Sequence, residues 1–96
     1  MTKTVLAMTS VKHDGDEALE KYLAVVEPLM EAAGAKLISR YEVSKILFGI
    51  EIAQFVSLIE YPDDKSIQMV FSSPDYVSLK HVKEMAFSRY EICVLA

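Results

Sequence analysis

The 96 residues predict an α+β sandwich, a four-stranded antiparallel sheet with helices on one face. Three observations carry this. Apolar runs and helical periodicity follow one another in the order strand, helix, strand, strand, helix, strand. Only two helical regions exist, so only one face of the sheet can be covered. Both halves of the chain repeat a strand–helix–strand unit. The length suits a single domain spanning 1–96.

Thr4 to Val11 (TVLAMTSV) is β-branched and apolar on both faces, which predicts a central strand. His13-Asp14-Gly15-Asp16 ends it, with Asp14 or Asp16 in place to cap the next helix. From Asp16 to Ala33 the residues Leu19, Tyr22, Leu23, Val26, Leu29, Met30 and Ala33 recur at steps of three and four. They form one apolar stripe. Pro28 removes a helical hydrogen bond mid-way, but the spacing resumes after it, so one helix is predicted, with Pro28 the place for a kink. Gly34 fits a left-handed C-cap.

Ala35 to Glu42 alternates and predicts a strand with one wetter face, or an edge strand. Residues 43–51 read as a loop turning at Gly49. Ile46, Leu47, Phe48 and Ile50 make it unusually apolar, and such a patch calls for cover. Ile52 to Tyr61 predicts the next strand. Pro62-Asp63-Asp64 ends it and opens a short helix to about Phe71. Ser73 then caps, and Pro74 starts, a further short helix to about Met85, with Tyr76, Leu79 and Val82 inward. Ala86 or Phe87 to Leu95 is the last strand. The whole is the βαββαβ, or ferredoxin-like, sandwich with its second helix broken at Pro74. A three-layer αβα arrangement would need helices on both faces.

The strands are largely apolar on both sides. Strict alternation groups Phe87, Arg89, Glu91, Cys93 and Leu95 against Ser88, Tyr90, Ile92 and Val94. A homodimer through the helix-free sheet face is the cheapest cover, and the 46–50 loop would reach over the partner.

Composition excludes several classes. The formal net charge of −4 argues against nucleic acid, which needs clustered Lys or Arg. No stretch is long and apolar enough to cross a membrane, and residues 1–9 lack the core of a signal peptide. A bacterial cytoplasmic location is the expectation, in keeping with the single cysteine. The two distant histidines and Cys93 give no metal-ligand spacing, and no phosphate-cradling or nucleophile-elbow motif occurs, so neither metal nor organic cofactor is expected.

The candidate catalytic residues are His81, Tyr22, Tyr76 and His13. His81, in the helix after Pro74, reads as a half-exposed helical residue or as a general acid or base at a pocket mouth. His13, beside Asp14 past the first strand, reads as a solvated turn residue or as part of a site. Tyr22 and Tyr76 lie on apolar stripes. Their rings pack on the sheet, or their phenols orient a small ligand between sheet and helices. Arg40 and Arg89 read as same-face pairs with Glu42 and Glu91, unless one meets an anion in the helix layer. Cys93 reads as a small buried hydrophobe.

Several segments together resemble the DUF1330 family of small uncharacterised bacterial proteins. They are Ala33-Gly34-Ala35-Lys36-Leu37 before the second strand, Val43 to Gly49, Val56-Ser57-Leu58-Ile59-Glu60-Tyr61-Pro62, and Phe71-Ser72-Ser73-Pro74-Asp75-Tyr76. The last is the most specific, with Asp75 where the family has Glu. The resemblance implies a place in the dimeric α/β-barrel superfamily, whose members typically pair so that two sheets close a barrel. It implies no established reaction, although some relatives in that superfamily are cofactor-free monooxygenases, isomerases or dehalogenating enzymes. Lys83 stands where the family often has Arg. The charge is kept but the planar fork is lost, which lowers the case for a clamped acidic substrate. Two functional readings follow. One is a cofactor-free enzyme of the monooxygenase or isomerase class acting on a small apolar molecule. The other is a non-catalytic dimer that binds a small molecule or a protein.

Overall fold

The computed structural model describes residues 1–96. Its elements are β1 (Lys3–Val11), α1 (Asp16–Ala32), β2 (Lys36–Glu42), β3 (Phe55–Tyr61), α2 (Asp64–Phe71), α3 (Pro74–Val77), α4 (Lys80–Ala86) and β4 (Phe87–Leu95). All pairings are antiparallel, in the order β2-β3-β1-β4, with apolar β1 in the middle as its composition predicts. The shortest dimension of the fold is 15 Å, that of one sheet and one helical layer.

The resemblance implied a barrel, and this is corrected. The sheet is open, with β2 and β4 as its two edges, and it does not close.

Helix α1 runs unbroken through Pro28. Its start differs from expectation. Neither Asp14 nor Asp16 caps it. The N-cap is Gly15, with no side-chain cap bond. The cause is crowding, because a Cβ on Gly15 would lie 2.7 Å from the Ala86 carbonyl oxygen. At the other end Gly34 has φ +77. Its N–H bonds the Glu31 carbonyl and the Ala35 N–H bonds that of Met30, a Schellman closure of the helix.

Strand β3 starts at Phe55, not Ile52. Ile52 and Ala53 belong to the loop, and Val43 N–H meets the Gln54 carbonyl at its mouth. Asp63 caps α2, accepting from the Ser66 N–H at 2.8 Å and the Ser66 hydroxyl at 2.9 Å. These bonds hold its carboxyl below the usual range. Ser73 caps α3 with Pro74 at its first turn. The predicted helix to Met85 breaks once more at Ser78 and Leu79, so α3 and α4 are separate.

Two register shifts interrupt the alternation. One lies between Leu37 and Ser39. The other lies between Ser10 and Val11, where Val11 pairs with Phe87 but Ser10 with Arg89, leaving Ser88 over. Phe87 therefore joins Tyr90 on the helix side instead of facing away, and their ring centroids are 5.1 Å apart.

The core lies between the helices and the sheet. Val5, Ile59, Tyr61 and Phe87 from the strands meet Tyr22, Val26, Val70, Tyr76, Leu79 and Ala86 from the helices. Leu6, Met8, Val56 and Leu58 share the other face, as their cross-strand pairing shows, and stay half-buried. Cys93 pairs with Leu6 on that bare face. It is exposed, which corrects its reading as a buried hydrophobe.

Candidate functional site

Three tyrosines from three elements converge at the helix–sheet boundary. Tyr22 comes from the buried stripe of α1 and Tyr76 from the first turn of α3. Tyr90 comes from β4, just past the bulge. The Tyr90 hydroxyl lies 2.7 Å from that of Tyr22 and 2.6 Å from that of Tyr76. Lys83 of α4 extends the chain. Its Nζ donates to the Tyr76 oxygen at 3.3 Å and sits 4.6 Å and 4.9 Å from the ring centroids of Tyr76 and Tyr90. Edge-on contacts of Tyr22 with Phe87 and of Tyr76 with Phe71, each at 5.1 Å, fix the rings.

The three phenols bring one hydrogen each, and their two mutual contacts consume two. Whichever way the chain runs, one O–H is left without a partner in it. Donation from Lys83 into Tyr76 favours the polarity Tyr76 to Tyr90 to Tyr22, which frees the Tyr22 hydrogen.

The same tyrosines, with Tyr61, line a partly enclosed cavity of about 70 Å³. Its other walls are Val5, Ala7, Val26, Met30, Ile59, Val70, Phe71 and Ile92, so the phenols are its only polar groups. It holds roughly the volume of two waters, or a few carbon atoms. Burial pushes the Tyr22 phenol up to about 12. Burial raises Tyr90 further, helped by its two phenol neighbours, and raises Tyr61 as well. Tyr22, Tyr61 and Tyr90 are therefore neutral at pH 7. They donate and accept hydrogen bonds and stabilise negative charge on a partner oxygen; they do not act as bases.

The four candidate residues separate. Tyr22 and Tyr76 come together through Tyr90. The His81 ring is 95% exposed and lies 3.7 Å from Glu84, away from the cavity. His13 stands at the opposite end of α1, in an open cleft of about 580 Å³ with Lys12, Asp16, Arg40 and Phe55. Arg40 does not pair with Glu42; its guanidinium stacks 4.6 Å from the centre of the Phe55 ring. Arg89 does pair with Glu91, as its spacing predicts. Sequence reasoning did not place Tyr90 in the site, and it met Lys83 only through the family resemblance, as the residue seven past Tyr76 where the family often has Arg. For Tyr90, the bulge hides its partnership with Phe87.

No three His, Cys, Asp or Glu side chains are grouped so as to hold a metal ion. No helix is long and apolar enough to cross a membrane.

Solved structures share this architecture. The RPA0582 protein of unknown function from Rhodopseudomonas palustris superposes with a TM-score of 0.82 at 20% identity, covering 98% of this chain and 80% of that one. A protein provisionally described as an antibiotic biosynthesis monooxygenase from Nitrosomonas europaea gives 0.66 at 13% identity, covering 99% and 88%. A dimeric protein of unknown function and ferredoxin-like fold from Bacteroides fragilis gives 0.59 at 7% identity, covering 98% and 94%. At these identities the likeness is one of fold. No curated protein matches the sequence. The domain of unknown function DUF1330 matches residues 4–95, nearly the whole chain, and the protein belongs to that family.

Proposed function

We propose that the protein binds a small, largely apolar molecule at one oxygen atom, in the cavity between helices and sheet. One observation carries this reading: a chain of three phenols leaves one O–H donor over, beside a cavity with no other polar group. A free hydroxyl in apolar surroundings costs about 1–3 kcal/mol, which a ligand oxygen would recover. The same donors suit a cofactor-free reaction of the isomerase or monooxygenase class, in which charge develops on a carbonyl or phenolic oxygen. The solved structure described as a monooxygenase supports that class by fold alone. Of the candidate catalytic residues, Tyr22 and Tyr76 take the oxygen-orienting role, while His13 and His81 stand outside it and are candidates only for work at the surface.

The test uses butanone, a short ketone, titrated while the tyrosine ring signals are followed by NMR. Saturable shifts of Tyr22, Tyr76 and Tyr90 are expected. Tyr90→Phe removes the middle of the chain and should weaken binding several-fold. Ring signals that stay still in the parent would overturn the reading.

A second reading, a self-associating scaffold, is favoured by the bare sheet face and its loop. Leu47, Phe48 and Ile50 are almost fully exposed beside half-exposed Ile46 and Ile52. Pairing of two copies over Leu6, Met8, Val56 and Leu58 would cover them, and one protein of similar fold is described as dimeric. The two readings are compatible, since they use opposite faces of the sheet.

A further inference from the structure

The geometry points to a short-chain monocarboxylate as the ligand: its anionic head rests on Lys83 in the cleft between α4 and β4, and its apolar tail lies against the tyrosine rings. This rests on the tyrosine cavity being a ligand site and names the chemical class it takes.

Lys83 is half-buried and has no counter-ion. Ion pairs join Lys3 with Asp64, Lys21 with Glu17 and Arg89 with Glu91, Glu84 lies 3.7 Å from the His81 ring, and none of these contacts involves Lys83. Its ammonium instead rests on two phenol rings and gives one of its three hydrogens to Tyr76. A partly desolvated cation held on ring faces gains most from an anion that completes it.

A cleft of about 250 Å³ opens at this point, lined among others by Lys80, Lys83, Glu84, Arg89 and Tyr90. With Arg89 paired to Glu91, the charged residues left in the cleft are Lys80, Lys83 and Glu84, one positive charge in excess. That matches a monoanion. The chain as a whole is acidic, with a net charge of −4, so this cationic spot is also where an anion would be steered. Tyr90 is a wall of both the cleft and the partly enclosed cavity, which places an apolar tail next to the charged head. Lys83 meets a carboxylate as a point charge.

The probes are butyrate and its neutral isostere butyramide, each titrated at pH 7 and low salt with the tyrosine ring signals as readout. Butyrate should bind about tenfold tighter or more, and the advantage should shrink as salt rises. Lys83→Met should erase the difference between the two probes, and Lys83→Arg should restore it. A thermal melt of each variant confirms that the fold is intact. Equal affinity of both probes in the parent, or an undiminished butyrate preference in folded Lys83→Met, would overturn the inference. If butanone and butyramide bind and butyrate binds no tighter, only the carboxylate assignment falls. If none of the three moves the ring signals, the tyrosine cavity is not a ligand site at all.

Discussion

The two faces of the sheet are made by the same strands from alternate residues, yet they end in different states. On the covered face Val5, Ile59 and Tyr61 are almost wholly removed from solvent. One residue along, Leu6, Leu58 and Val56 keep part of their surface wet, and Cys93 is exposed. Apolarity alone does not distinguish the faces. The helices cover one, and at their margin three phenols and an ammonium replace apolar packing. Where the layer closes, a residue is held by many contacts and its loss costs stability. Where it does not, a residue has fewer contacts to lose.

The largest effect expected on the covered side is that of Tyr76→Ala. The ring is buried, stacks edge-on against Phe71 and joins Lys83 to Tyr90. Its removal should cost about 3–5 kcal/mol in denaturant unfolding at fixed protein concentration. Tyr76→Phe keeps the ring and should cost less than about 1.5 kcal/mol. An alanine variant as stable as the parent would mean that this margin is not packed.

The tyrosines also give the covered face a pH signature. Tyr22 binds its proton more tightly folded than unfolded, with its phenol pushed from 10.0 to about 12. Its stabilising contribution is full below pH 10 and is lost as pH rises towards 12. The loss from Tyr22 alone should reach about 2–3 kcal/mol, and Tyr90, raised for the same reason, should extend it upward. Unfolding at stepped alkaline pH should therefore show stability falling from about pH 10, and Tyr22→Phe should flatten the fall. A flat profile from neutral pH to 12 would show the phenols are not buried together.

Gly15→Ala tests the end of the same layer. The added methyl would press on the Ala86 and Met85 carbonyls, backbone atoms that cannot swing aside. A loss of about 1–3 kcal/mol is expected from a melt. No loss would show that α1 and the α4–β4 junction sit further apart.

Much of this was legible in the sequence, and the limits are physical. The stripe of α1 placed Tyr22 inward, and the Ser73-Pro74 start placed Tyr76 inward, because helical spacing records which side meets the core. The capping of α1 was misread because Gly15 is required by an approach from Ala86, distant in sequence. The alternation places Arg89 to Leu95 correctly, and only Phe87 was misread, because the extra Ser88 resets the alternation ahead of it. Lys83 was met only through the resemblance, as a residue where the family often has Arg. Its position over two rings depends on how α3, α4 and β4 dock, which is a tertiary fact.

The bare face gives the smallest effect on the fold and the sharpest test of the comparison. Leu58 lies in the middle of that face, between Leu6 of β1 and Ser39 of β2. In a lone chain Leu58→Lys would change little, about 0.5–1 kcal/mol, because a lysine can lay its stem on the sheet and keep its ammonium in water. Between two copies the same ammonium would be buried without a partner, at a cost of several kcal/mol. Sedimentation at micromolar concentration should therefore find the parent at twice 10.8 kDa and Leu58→Lys at 10.8 kDa. The parent's melting temperature should rise with protein concentration, and the variant's should not. A parent that sediments as one chain, with a melt indifferent to concentration and to Leu58→Lys, would mean that water is the only cover this face has. The pairing would then fall, while the tyrosine site on the other side would stand untouched.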